Sequence, residues 1–407
     1  VSTNGPEPAL LSLDQHVADV LAALPVTEAL EVGTFDAVGL VLSADVVSNS
    51  ASPRDTVAAC DGVAVRAHDT AGAAIARPVT LQVTDATTLA ADVQAPLTAP
   101  RVRQGEPLPY GYDAVLPVSA TFIGARPLVV TSPVPAGQHV ATAGSDIAPQ
   151  QLLAVKGHIV TPADVALLAI AGVDHVRCVP APRIVVLGVA PALSAEFDGT
   201  RASDTRAVTM MVAAHVRSLG AMVFLGEETS ATRDTLAQAL DANLGRADLI
   251  ILVGGTRAHT QPRVAAVLSS LGSASVHAIA VESCQNQLFG MIGPCPVVAV
   301  SNLPGAAHRE FELMLRPVVR HMQGRRDGAR PSLSARLTQP VLADATFDRY
   351  VAVRLQRMAG EWTAEPLSEN TVISSVTVSQ TDGYLKVTST QADHPAGAVV
   401  VVELAGE

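Results

Sequence analysis

The sequence predicts a multidomain α/β protein built round a parallel sheet with helices on both faces. Three observations carry this expectation. Between Arg183 and Gln323, short apolar runs alternate with segments of helical periodicity, the pattern of strand–helix–strand units. Ahead of that stretch, from Pro53 to about Pro135, short alternating runs such as VTLQVTD and YGYDAVLPV are punctuated by Pro and Gly, as in a small all-β insertion. Behind it, after the linker-like RRDGARPSLS (Arg325–Ser334), come only strand-like runs: YVAVRL, TVISSVTVS, YLKVTS and AVVVVEL.

In chain order, LLSLDQHVADVLAAL (Leu10–Leu24) is the first expected helix. Ser12 is its N-cap, and Leu13, Val17, Val20, Leu21 and Leu24 share one face. TPADVALLAIAG (Thr161–Gly172) is the second, with a Thr cap, Pro in the first turn and a glycine stop. RIVVLGV, MVFLG, DLIILVGG, VHAIAV and PVVAV are expected strands. Asp204–Leu219, Thr232–Leu244, Arg263–Leu271 and Ala306–Gln323 are expected helices. The expected domains are an elongated N-terminal part over 10–49 plus 137–179, a β insertion over 50–136, the α/β domain over 180–326 and a C-terminal β domain over 331–407.

Composition excludes several function classes. With 407 residues, 48% hydrophobic and 16% charged, the chain is globular and has a sizeable core. A formal charge of −11 argues against nucleic acid and anionic lipid as partners. No apolar run reaches the ~18–20 residues of a membrane span. VALLAIAGV is short and lies between Asp164 and Asp174. The opening VSTNGPEPA has no signal-peptide pattern, so a cytoplasmic location is expected. Cys60, Cys178, Cys284 and Cys295 form no C-x-x-C pair, which predicts free thiols and neither a disulfide framework nor a zinc site.

Ligands of such sheets bind beyond the carboxyl ends of the strands. There LIILV runs into GGTRAHTQP (Gly254–Pro262). A glycine pair at this place brings backbone N–H groups up to a phosphate or carboxylate. The residues behind it would then supply hydroxyls and acids, yet this chain offers Arg257, His259, Thr260 and Pro262. With no second His or carboxylate within a turn, His259 reads as a loop residue, and no metal site is predicted. Arg257 is a minor candidate for holding an anion. Asp61-Gly62 reads as a turn before a strand, and Cys284 as an ordinary thiol.

ACDGVAVR (Ala59–Arg66), LPYGYDAVLP (Leu108–Pro117), GSDIAPQQLLAVKG (Gly144–Gly157), LIILVGG (Leu249–Gly255) and NLPG (Asn302–Gly305) occur in this order. Together they resemble the MoeA and gephyrin E-domain family over essentially the whole chain. The resemblance implies four subdomains, a homodimer with the site at its cleft, and insertion of molybdate into adenylylated molybdopterin with Mg²⁺ as cofactor.

Position by position, the family's chemistry is missing. The loop that would carry Asp, Asn and Ser reads SPRDTVAACDGVAV, with Thr56, Val57 and Ala58 in those places. STGDEL becomes GVAPAL, with Pro191 and Ala192 for the two acids. GGVSxGDxD becomes GGTRAHTQP, with Thr260 and Pro262 where acids stand. KPGKP becomes ESCQN, so Glu282 and Gln285 replace the phosphate-holding lysines. A lysine ~5 Å from a phosphate charge contributes about 3 kcal/mol at an effective dielectric of roughly 20, and Glu282 would reverse that sign. These changes leave Gly254, Gly255, Arg257, His259 and Asp61 as a vestigial cleft. They predict a non-catalytic pseudoenzyme with no cofactor.

What the resemblance then implies is a dimeric scaffold that docks a short peptide between the first helix and the C-terminal β domain. Asp14 and Val17 fall at that groove from the helix side. From the β domain come Phe347, Arg349, Tyr350, Arg354, Tyr384 and Leu385. Phe347 is read equally as anchor or as core; for Tyr350, Tyr384 and Leu385 the core is the preferred reading. Resemblance to actinobacterial gephyrin-like proteins implies a cytoskeletal or membrane partner, the C-terminal tail of the tubulin homologue FtsZ at the division septum being the candidate. The alternative is the molybdopterin molybdenumtransferase itself.

Overall fold

The computed structural model describes all residues except 1–9, 26, 85–95, 118–126, 191–201, 258–259, 283–285, 326–329, 359, 368–373 and 407. The chain forms two compact units, one of Val1–Leu30, Gly39–Val41 and Val179–Glu407, the other of Glu31–Val38 and Leu42–Cys178.

The second unit contains a five-stranded sheet ordered Ala114–Pro117, Gly62–Val65, Thr98–Val102, Val79–Thr84, Leu128–Val130. Alternate residues Val63, Val65, Leu81, Ala99 and Val130 enclose its core, as a period of two requires. Helix Pro162–Ile170 opens with a reciprocal cap: Thr161 Oγ1 accepts from Asp164 N–H, and Asp164 Oδ2 accepts from Thr161 N–H at 2.7 Å.

The first unit holds the α/β domain. Its sheet runs Met222–Leu225, Arg183–Ala190, Leu249–Val253, Cys295–Val300, Asn286–Ile292, Ser273–Ala278. The first four strands are parallel, and every residue of LIILV is buried because helices cover both faces. One face packs on Val212, Val216, Phe311 and Val319, the other on Leu236, Leu240, Val264 and Leu268. The parallel core of the sheet is extended by two antiparallel strands. Asn286–Ile292, which sequence periodicity did not single out, returns antiparallel beside Cys295–Val300 through a tight turn at Gly293, and Ser273–Ala278 adds antiparallel to it.

The predicted helix Ala306–Gln323 is three pieces: Pro304–Glu310, a π turn over Phe311–Leu315, and Arg316–Met322. Pro317 has no N–H for the carbonyl four residues back, and Arg316 N–H reaches the carbonyl of Phe311, five back.

The tail closes into a barrel ordered Ser332–Leu337, Glu361–Pro366, Arg349–Met358, Gly383–Val387, Val399–Leu404. TVISSVTVS is not a strand where described: Ser375–Ser379 is helical, because Ser374 Oγ caps it by accepting from Thr377 N–H at 3.2 Å. Leu13, Ile279, Val281, Leu313, Met314, Tyr350 and Tyr384 form one core joining the first helix, the α/β domain and the barrel. Among the described residues no helix is long and apolar enough to cross a membrane.

Candidate functional site at the strand ends

The chain leaves Leu249–Val253 at Gly254, whose N–H still donates to Val300 O at 2.8 Å. Gly254 has φ +109°, and a Cβ there would stand 2.4 Å from Val189 O. Gly255 has φ +77°, and its Cβ would meet Val264 Cγ2 at 2.7 Å. The fold therefore demands glycine at both, whatever the ligand. Arg257 O then accepts from Thr260 and Gln261 N–H at 2.9 and 2.8 Å, turning the chain into helix Gln261–Leu271.

Polar side chains gather round this turn. Thr260 is buried with Oγ1 on Arg257 O at 3.3 Å. Gln261 is buried, and its Nε2 has no hydrogen-bond partner among the described residues. Buried Asn302 donates Nδ2 to Thr205 Oγ1 at 3.2 Å, and Thr209 Oγ1 donates to Thr205 O at 2.8 Å. At the carboxyl end of Arg183–Ala190, Gly188, Arg206, Thr209, Met210, Glu227 and Glu228 line a cleft of about 390 Å³. The cleft offers the Arg206 guanidinium, the Thr209 hydroxyl and the exposed carboxylates of Glu227 and Glu228, a mixed lining that suits a polar group.

Gly254, Gly255, Arg257, Thr260 and Pro262 thus come together, Pro262 as the exposed second residue of the helix. Thr56 and Asp61 belong to the other unit; Asp61 accepts from Gln104 N–H at 2.8 Å, the bond of a turn. Ala192, His259, Cys284 and Gln285 lie outside the described residues. The repulsion expected from Glu282 is corrected by the structure, since Arg349 pairs with it at 2.9 Å. Arg206, Gln261, Thr205 and Asn302 were missed as site residues. A buried glutamine in the first turn of a helix, next to a glycine pair, was the signal that could have found one of them.

A hard divalent cation takes several converging oxygens. The carboxylates described at this cleft, Glu227 and Glu228, are both exposed and adjacent in sequence, so the described donors do not fit Mg²⁺. A different group could ligate a metal: His215, His308 and Glu312 offer atoms within 4.8 Å of one another. His215 lies nine residues beyond Arg206 on one helix, about 13 Å along its axis. Protein partners already occupy this group. Arg316 Nε and Nη2 each donate to a Glu312 oxygen at 2.8 Å, and His308 Nδ1 meets Tyr384 Oη at 2.5 Å. Burial, then His215, lowers His308 to about 4, so its ring is neutral near pH 7.

A second cleft of about 520 Å³ opens between the first helix and the barrel, lined by Asp14, Val17, Arg316, Tyr350, Lys386 and Glu403 among others. Asp14, Val17 and Tyr350 therefore meet there. Tyr384 and Leu385 are buried in the core, the reading preferred for them and for Tyr350, itself 4% exposed, and Arg349 is engaged by Glu282. Arg354 pairs with Glu365, and half-buried Phe347 sits on the Asp344 turn.

These features define an α/β protein with a glycine turn and a polar cleft at the carboxyl ends of a parallel sheet. Residues 11–172 match the MoeA N-terminal region (domain I and II). Molybdopterin molybdenumtransferase 2 of Mycobacterium tuberculosis is 31% identical over 365 residues, 86% of this chain and 89% of its own length. Molybdopterin molybdenumtransferase 1 of the same organism is 30% identical over 382 residues, covering 88% and 89%. The molybdopterin biosynthesis MoeA protein of Pyrococcus horikoshii superposes with a TM-score of 0.79 at 22% identity, over 97% of this chain and 99% of that one. The chain belongs to the MoeA family of molybdopterin molybdenumtransferase-like proteins.

Proposed function

We propose that this chain binds a molybdopterin-type phosphorylated pterin at the strand-end cleft and is a weak inserter of molybdate. The observation that supports the binding is the buried, unpartnered Nε2 of Gln261 in the first turn of the helix that follows the Gly254–Gly255 turn. The M. tuberculosis relatives are named for this substrate and reaction. In this reading Arg206 meets the phosphate from the helix above Thr205, while Asn302 and Thr209 hold the wall in shape. The weakness in transfer stems from the replaced ligands. Removing one ion pair at ~5 Å costs about 3 kcal/mol, roughly two orders of magnitude in rate or affinity.

The test is a titration of the purified chain with molybdopterin and adenylylated molybdopterin, followed by a molybdate-insertion assay. Saturable binding is expected, weakened about tenfold by Arg206→Ala, with insertion at least ~100-fold below that of the M. tuberculosis relative. Absence of binding sinks the reading. Insertion at the relative's rate removes its second half.

A second reading rests on the other cleft. Arg316, Arg330 and Lys386 line it with Asp14 and Val17, and the Nη1 atoms of Arg316 and Arg330 are buried without a hydrogen bond among the described residues. That suits a short peptide with acidic and apolar residues, such as the FtsZ tail, on a dimeric adaptor. Labelled tail peptide should bind the native chain and lose at least tenfold in affinity with Val17→Arg, a charge on the cleft wall. Binding unchanged by that substitution removes the groove.

A further inference from the structure

The buried face of the first helix, Leu13–Ala23, runs Leu13, His16, Val20, so an imidazole stands where apolar spacing calls for a hydrocarbon. His16 is 4% exposed. Its Nδ1 lies 2.9 Å from Nδ1 of His277 in the edge strand Ser273–Ala278, one ring donating and the other accepting. The rings meet edge to face, with centroids 5.1 Å apart and planes at 85°. Beside them Leu11 N–H donates to Ala278 O and Ala280 N–H to Leu11 O, each at 2.8 Å, so this pair continues the seam between helix and sheet. Either ring can take a proton alone, on the nitrogen facing away, and keep the contact. Both together cannot: N–H would face N–H at 2.9 Å, with no acceptor left.

We propose that the His16–His277 pair is an acid-released latch on the first helix: closed, it accepts at most one added proton, and a second frees the helix wall of the cleft at Asp14 and Val17. His277 faces His16 from the strand, and Asp19 from its own helix. The other elements packed round the small cavity at His16 present uncharged Gln287, Val298, Met314 and Val318. Burial, then His277, moves His16 from its ordinary 6.5 down to about 4, against the pull of Asp19. Release that admits water returns the ring towards 6.5. The closed form thus holds this proton less tightly. The latch is complete above the released-form value and is lost as pH falls from there through the closed-form value.

Control of ligand binding rests on the peptide reading of the second cleft; release of the helix does not. Hydrogen exchange of the Val17 and Val20 amides in the full chain tests the release. Beyond the intrinsic effect of pH, their protection should fall roughly 20-fold between about pH 7 and about pH 5. In His16→Leu, which suits the apolar face and takes no proton, protection should be flat. The same fall in both proteins, or no fall in the native chain, overturns the proposal. The helix amides should also stay less protected than that of Ile250 in the central strand; equal protection means that the helix leaves only when the whole chain unfolds, and overturns a local latch. A His16 ring titrating at its ordinary value does the same, a measurement that stands if the variant fails to fold. The labelled tail peptide should lose more affinity between these pH values on the native chain than on His16→Leu, and an equal loss overturns the link to the cleft. No binding at either pH sinks the peptide reading and leaves the amides to decide on the latch.

Discussion

Arg316→Met is expected to lower the stability of the chain by about 3–5 kcal/mol, read as a fall in the urea midpoint. Arg316 and Glu312 are 3% and 1% exposed, and the guanidinium holds both carboxylate oxygens. Removing the cation alone leaves a buried carboxylate with no countercharge at 2.8 Å. The double variant Arg316→Met with Glu312→Leu should recover most of the loss, because two apolar side chains of similar volume leave no charge to desolvate. A double variant as unstable as the single one would show that packing of the π turn, rather than charge, sets the cost.

Gly254→Ala is the second large effect, expected at about 3–4 kcal/mol together with loss of any strand-end ligand. The backbone at φ +109° is outside the range of ordinary residues, and the added Cβ meets the backbone oxygen of Val189 at 2.4 Å. Gly293→Ala is the control. Its φ is +57° with nothing within 4 Å of the new atom, so about 1 kcal/mol is expected. Equal effects at the two positions would mean that strand-end packing contributes nothing beyond backbone preference.

Much of the architecture was legible because periodicity reports burial. LIILV announced a strand covered on both faces, and Ser12 and Thr161 announced helix starts through cap chemistry that is local. The errors arose where distant residues decide or where a cap overrides a β-branched run. Asn286–Ile292 is a strand because Cys295–Val300 and Ser273–Ala278 flank it, and TVISSVTVS misled because one serine caps a short helix. In the site, the glycine pair was visible and the neutralisation of Glu282 was not, since Arg349 is 67 residues away. The second cleft shows a similar division. The resemblance placed Asp14 and Val17 on its helix side, and the burial of Tyr384 and Leu385 agrees with the core reading preferred for them. Arg316 and Glu403 on its lining, by contrast, were not singled out.

The π turn at Phe311–Leu315 has a consequence for how the two clefts evolve. Each residue advances a helix by about 100° of azimuth, so a single widened turn sets the phase of the downstream residues independently of the upstream ones. On the upstream side, Glu310 accepts from Ser301 N–H in the loop that carries Asn302; on the downstream side, Arg316 faces the barrel. Deleting one residue within Phe311–Leu315 would restore a regular spiral with both flanks still in phase, whereas tightening the turn at unchanged length would swing Arg316 by about 100° relative to Glu310. The interruption lets a single rod carry two separately aimed side chains, and a family member could retune one cleft while the other keeps its bearing.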